Sequence, residues 1–387
     1  MTRAKSLASR LCIAAILVTV SEYPSIAELS SGQADSLLPD VPAATASSSD
    51  LQIKAEQGHL QQELTLAGDY YAGKDVPRDL TQSAYWYRKA ADQGDPGAQV
   101  NLGYFYLMGI GVEKDAAQAA RWFDRAAASG SHPAKLNLAI LYLKGVGVKQ
   151  DITFGTKLLQ DLVKQHDPRA EAYLGIMSML GVGVERNVPA AEKLFKEAAR
   201  QQSPEAEYSL GTLYSAINDH PKDLKKATEY FRQSAAQGYI RSMHSLGLLL
   251  IHNPDLQRQP REGSHWLTEA ANDGSWRSSI TLAILARDGQ ERPADIGEAY
   301  RWFLIAVQQG GPEAQKLAKN DIAVAKAKLD ETQRSYAETA AANWLLQHPY
   351  QDLYKVPGGL QANYYPVDEV YLDDIAAVQL SKEANTH

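Results

Sequence analysis

Cysteine is almost missing from this 387-residue chain: the single one, Cys12, lies in the N-terminal segment, so no intramolecular disulfide can form and packing alone must hold the fold. Basic charge is also short, with 39 Lys and Arg against 46 Asp and Glu, which argues against a face for nucleic acid or anionic lipid. No long hydrophobic run occurs. The N-terminal apolar stretch, residues 11–20, is ten residues long, half of the roughly 20 that a spanning helix needs. No G-x-x-x-x-G-K-[ST] phosphate loop and no G-x-S-x-G nucleophile turn is present. The nine histidines are scattered, and His244 and His252 stand eight apart with an apolar run between them. No metal, no cofactor and no catalytic residue is therefore expected, and the chain reads as a non-enzyme.

What is present begins with a leader. Arg3, Lys5 and Arg10 precede the apolar run, and Ser25-Ile26-Ala27 places small residues at the −3 and −1 positions of a cleavage site. This is the layout of a secretory signal peptide over residues 1–27, cut after Ala27, with a retained membrane anchor as the alternative. Export to the periplasm or beyond is the expectation. Residues 28–50, rich in Ser, Ala, Asp and Pro, read as a flexible spacer.

Beyond the spacer one leucine sets the rhythm. Leu66, Leu102, Leu138, Leu174, Leu210, Leu246 and Leu282 recur every 36 residues. Ala98, Leu102 and Tyr106, four apart, share one face of a first helix; Gly109 is suited to end it with positive φ, and Gly111 lets the chain turn before Val112. Three residues later Asp79, Asp115, Asp151, Asn187, Asp223 and Asp295 stand where a second helix needs an N-cap. Inside that helix a small residue (Ser83, Ala119, Gly155, Ala191, Ala227, Gly263, Ala299) allows close backbone approach. A bulky one follows (Trp86, Trp122, Leu158, Leu194, Tyr230, Trp266, Trp302), read as core rather than a ligand cage. Gly94, Gly130, Gly238, Gly274 or Gly310 ends the helix, with His166 and Gln202 in the third and fourth units. In the fifth unit Ile217, Asp219 and His220 replace the glycine turn, and in the sixth Asn253, Asp255 and Leu256 do.

These motifs resemble those of the Sel1-like repeat family, relatives of tetratricopeptide repeats. The resemblance covers residues 51–348 and implies an all-α, right-handed α-solenoid of about seven helix-turn-helix units. The units start near residues 62, 98, 134, 170, 206, 242 and 278, with a half-repeat cap around Ala55 to Gly58 and capping helices over 314–348. Residues 349–387 carry Tyr350, Tyr354, Tyr364, Tyr365 and Tyr371 and form a tail that either folds back or docks elsewhere.

The family resemblance implies a scaffold or adaptor that holds a protein or peptide partner, in cell-envelope assembly, signalling regulation or host contact. The rival is a cell-wall glycan-binding protein or hydrolase; the family's members associated with β-lactamase activity carry paired cysteines absent here. The concave side lined by first helices is the expected groove. Its candidate stripe is Asn101, Tyr104, Met108, Asn137, Ile140, Lys144, Tyr173, Ile176 and Leu180, continuing to Thr212, Leu248 and Ile284. The competing reading packs position 104 and its equivalents between neighbouring repeats.

Overall fold

A computed structural model describes residues 46–216 and 221–348; the leader, most of the spacer, the fifth-unit turn and the tyrosine tail lie outside the described residues. Among these are sixteen α-helices and no strand. They divide into two compact units with the boundary between Ala191 and Glu192.

The N-terminal unit holds α1 (Ala46–Glu56), α2 (Leu60–Ala72), α3 (Leu80–Asp92), α4 (Pro96–Met108), α5 (Ala116–Ala128), α6 (His132–Lys144), α7 (Ile152–Val163) and α8 (Pro168–Leu180), and ends within α9 (Val188–Arg200). Helix α1 begins five residues inside the stretch expected as spacer. An Asp50–Lys54 pair at 2.8 Å spans one of its turns, and Ala55 is buried against α2 and α3.

The expected capping is in place. Asp79 and Asp115 each accept from two backbone amides of the following helix, Asp151 from the amide of Phe154, and Asn187 from that of Ala190. Each cap residue also donates its own backbone N–H back across the turn, Asp115 to the Tyr106 carbonyl at 2.8 Å and Asp151 to that of Tyr142 at 2.9 Å. Both ends of the turn are thereby tied to the first helix.

The glycines divide the work. Gly73, Gly109, Gly145 and Gly181 close first helices in the left-handed region. Gly111 does more than turn the chain. A Cβ there would lie 1.9 Å from the carbonyl oxygen of Leu80, at the start of the preceding second helix, and one on Gly147 would lie 2.1 Å from that of Ala116. These two turns therefore rest on the backbone of the repeat before them, whereas at Gly183 a Cβ would meet the side chains of Thr156 and Ile152 instead. The close approach expected at the small-residue column is also seen: Ser83 Oγ donates to the Ala67 carbonyl at 2.7 Å, and a Cβ on Gly155 would meet Leu143 at 2.7 Å.

The deepest core lies one residue beyond the bulky column. Trp86 and Trp122 are buried and Leu158 is half-buried, but Phe123 and Leu159, which follow the last two, are wholly enclosed. The second-helix ends keep their left-handed residue where glycine is lost, His166 at φ 58° and Gln202 at φ 60°.

The C-terminal unit continues with α10 (Pro204–Ala216), α11 (Leu224–Ala236), α12 (Ile240–His252), α13 (Glu262–Asn272), α14 (Trp276–Asp288), α15 (Ile296–Lys328) and α16 (Glu331–Gln347). Asp223 and Asp295 cap α11 and α15 as expected. Phe231, Leu267 and Phe303 repeat the deep core column. In α15 the seventh second helix runs into the closing helix across Gly311, whose φ of 53° and ψ of −139° only glycine tolerates readily, with Pro312 next. The Trp344 ring packs edge-on against Trp302 at 5.5 Å and closes the unit.

Two substitutions should move stability in opposite directions. Gly111→Ala is expected to cost about 2 kcal/mol or more through strain and overpacking. Gln202→Gly should add about 0.5–1 kcal/mol by relieving the left-handed residue. Urea unfolding of both variants checks this, and an unchanged midpoint for Gly111→Ala would contradict the contact with Leu80.

Candidate functional site on the first helices

The first helices α4, α6 and α8 are apolar on nearly all sides, whereas the second helices α5, α7 and α9 beside them are two-faced. Helix α6, for example, carries Leu136, Leu138, Ile140, Leu141 and Leu143 around its whole circumference. A helix of that kind is enclosed on several sides at once. The candidate stripe accordingly sinks into the packing. In the N-terminal unit Tyr104 is 4%, Asn137 2%, Ile140 1%, Tyr173 5% and Ile176 4% exposed. These five do not form an open ribbon, which corrects the expected groove. Tyr104 belongs to a cluster with Leu66, Tyr71, Trp86 and Phe105, and Ile140 to one with Leu136, Leu159, Tyr173 and Met177. Packing between repeats wins because helical periodicity cannot choose an outward side on a helix apolar all round.

The stripe's edges stay reachable: Asn101, Met108, Lys144 and Leu180 are half-buried. Three of these, Met108, Lys144 and Leu180, are the last residues of α4, α6 and α8. In the C-terminal unit Thr212, Leu248 and Ile284 are also half-buried.

Polar groups at the hairpin ends follow a rule not read in the sequence. Glu63 at the start of α2 accepts from Gln93 Nε2 at the end of α3, at 2.7 Å, and Glu207 accepts likewise from Gln237 at 2.7 Å. Both carboxyls are raised above the ordinary range by burial, opposed by the glutamine hydrogen bond. At the same place in the last hairpin the direction is reversed, and Ser279 Oγ donates to Gln309 Oε1 at 2.8 Å. The recurrence of Gln at one phase was the available signal.

The irregular sixth turn is rigidly built. Arg232 sends Nε and Nη2 to the two oxygens of Glu262 at 2.8 and 3.0 Å, and Nη2 also to the Leu256 carbonyl at 2.9 Å. Arg258 donates its backbone N–H to the same carboxylate at 2.6 Å and grips Glu229 with its guanidinium. Burial alone would raise the Glu262 carboxyl, yet the hydrogen bonds from Arg232 and Arg258 hold it below its ordinary range. An ion pair with partners at 9% and 5% exposure does not by itself imply a stabler fold, but it fixes the loop's geometry.

His244 and His252 are not brought together: His244 Nδ1 pairs with Ser278 Oγ at 2.9 Å, whereas His252 is exposed and bonded to the Leu248 carbonyl. Among the described residues no group of three His, Cys, Asp or Glu is placed to hold a metal ion. The residue His244 keeps some surface, but its imidazole is enclosed, and this burial, with the Arg277 charge nearby, pushes its pKa down to about 4.

The helix hairpins recur within each unit, and comparison with known proteins names them. The Sel1 repeat profile matches residues 66–95, 96–131, 132–160, 168–203, 204–239, 240–275 and 282–311. The chain belongs to the Sel1 repeat family. A Sel1 repeat protein from Oxalobacter formigenes is 27% identical, with 66% of this chain and 99% of that one covered at a TM-score of 0.54. A protective antigen of uropathogenic Escherichia coli displaying an SLR fold is 25% identical over 77% of this chain and 71% of its own, with a TM-score of 0.41. An immunity protein from Pseudomonas aeruginosa is 18% identical over 70% and 85%, with a TM-score of 0.38. No curated protein matches the chain. Sel1 repeat proteins generally act as protein-interaction scaffolds, and no catalytic family is indicated. No helix among the described residues is long and apolar enough to cross a membrane.

The depressed His244 pKa gives a pH dependence with a definite sign. The folded chain refuses a proton that the unfolded chain takes up near pH 6.5, so this stability is complete above about 6.5 and is lost as pH falls toward about 4. Between pH 7 and 5 the loss should be about 2 kcal/mol. Comparing wild type with His244→Gln by urea unfolding at both pH values isolates it, and parallel losses in the two proteins would rule it out.

Proposed function

We propose that this Sel1 repeat protein is an exported interaction scaffold or adaptor that holds a peptide or protein through its first helices, in envelope assembly, signalling regulation or host contact. Family membership carries the reading, because stacked helix hairpins offer an extended surface suited to macromolecular partners. The buried middle of the stripe narrows where a partner can first touch: the half-buried edge of Met108, Lys144 and Leu180, which joins apolar contact to one cation. Export rests on the leader sequence and on a chain without disulfides that an oxidising compartment could scramble.

Photo-crosslinking in the producing cells tests the reading. A benzoyl-phenylalanine replacing Met108 or Leu180 should capture one common protein, while the same group replacing Arg121, exposed on α5, should not. Equal capture from position 121, or none from 108 and 180, would remove the first helices as the contact surface.

A further inference from the structure

One position in the first hairpin breaks the core pattern of the array. In steps of 36 residues from residue 69, every later unit has a large apolar side chain: Phe105, Leu141, Met177, Leu213, Leu249 and Leu285. Leu249 is half-buried and the others are buried. In α2 the place is taken by Asp69, which is itself only 9% exposed. Its carboxylate accepts no hydrogen bond from a described residue, and the charges that bear on it are those of Lys74 and Asp75. Burial raises this carboxyl above its ordinary range. A carboxylate withdrawn from water without a partner destabilises a fold, and such groups gather at ligand sites rather than in cores.

Asp69 lines a hollow of about 330 Å³ bordered by α1, α2 and the turn after α2, together with Asp50, Leu51, Lys54, Lys74 and Asp75 among others. That volume lies at the lower end of ligand pockets, roughly 300–1,000 Å³. The large side chain next to Asp69 in the following units is missing here. Gly68 stands where Tyr104, Ile140 and Ile176 stand in the next three, and a Cβ on it would meet nothing within 4 Å. The charges around the hollow do not cancel. Asp50 is engaged by Lys54 at 2.8 Å, and Lys74 and Asp75 offset each other, which leaves the Asp69 charge over. Among the described residues no three of His, Cys, Asp or Glu are placed to hold a metal ion, so these acids do not converge as a metal's ligands.

We propose that this hollow binds a compact organic cation, an ammonium group on a short aliphatic stem, with Asp69 as its counter-ion. One uncompensated negative charge calls for one positive charge, and an ammonium donates to a carboxylate in the charge-assisted geometry that is strongest away from bulk water. The volume exceeds what a bare ammonium fills, and Leu51 supplies apolar wall for a stem. A lysine side chain of a protein partner and a free alkylamine share this chemistry. The site lies at the first hairpin, apart from the edge of Met108, Lys144 and Leu180, and stands whatever touches that edge.

An NMR titration of the full chain with butylamine, charged at neutral pH, tests the proposal. Backbone amides of residues 62–75 should shift saturably, while the neutral isostere 1-butanol should leave them in place. Asn at position 69 keeps the shape and removes the charge, so Asp69→Asn should weaken binding at least about tenfold. Asp69→Leu, which installs the side chain of the later units, should abolish binding and raise the thermal midpoint, so that loss of the response is not loss of the fold. Nα-acetyl-lysine N-methylamide separates the two sources. Binding at least about tenfold tighter than butylamine upholds the site and assigns its cation to a protein chain, and equal or weaker binding upholds it for a free amine. No saturable shift with either amine, or shifts that persist in Asp69→Asn, would overturn the proposal. Calcium chloride producing the same shifts at equal concentration would overturn it in favour of a metal site.

Discussion

The contact on which the N-terminal unit depends is the one between a turn and the backbone behind it. Gly111 lies so close to the Leu80 carbonyl that no side chain fits, and Gly147 repeats this on Ala116. Because the contact is backbone to backbone at these two turns, it fixes the distance between the hairpins they join independently of which side chains fill the core. That frees the core column to hold Tyr87, Phe123 or Leu159 in turn. Capping by Asp79, Asp115 and Asp151 then starts each second helix from a turn already held in place.

Much of this was legible in the sequence, and the reason is physical. Positions that need a special backbone, such as the left-handed Gly109 or the N-cap Asp115, admit few residue types, so they show as strict recurrences. Small residues at closest approach, such as Ser83 and Gly155, are restricted for the same reason. Exposure on the first helices was not legible. Tyr104 and Ile140 look like a surface stripe only if one side of α4 and α6 is assumed to face water, and helices apolar all round give no such direction. The Arg232–Glu262 fork was invisible for a different reason: it joins the fifth unit to the sixth across thirty residues and is built on the irregular turn, so no periodicity announces it.

Functional reading follows the division between what repeats and what does not. The recurring positions are occupied with architecture. Departures carry the individuality of this chain: the buried, unpartnered Asn137 carboxamide, the half-buried Lys144 among apolar edge residues, and the salt-bridged loop at Arg258. A partner distinguishing this protein from other Sel1 repeat proteins must read features of that kind, since the frame itself is shared.

The sixth turn shows how firmly the period is kept. Its nine-residue connection between His252 and Glu262 replaces the seven-residue one between Met108 and Ala116, yet Leu246 and Leu282 remain 36 residues apart because α13 is two residues shorter than its counterpart α5. Loop and helix trade length so that the total is conserved. Evolution of such a chain is thereby quantised: local remodelling is absorbed inside one unit, whereas growth or shrinkage of the array proceeds by gain or loss of whole units. Length differences among proteins built on this frame should cluster at multiples of one period, with the remainder confined to the ends.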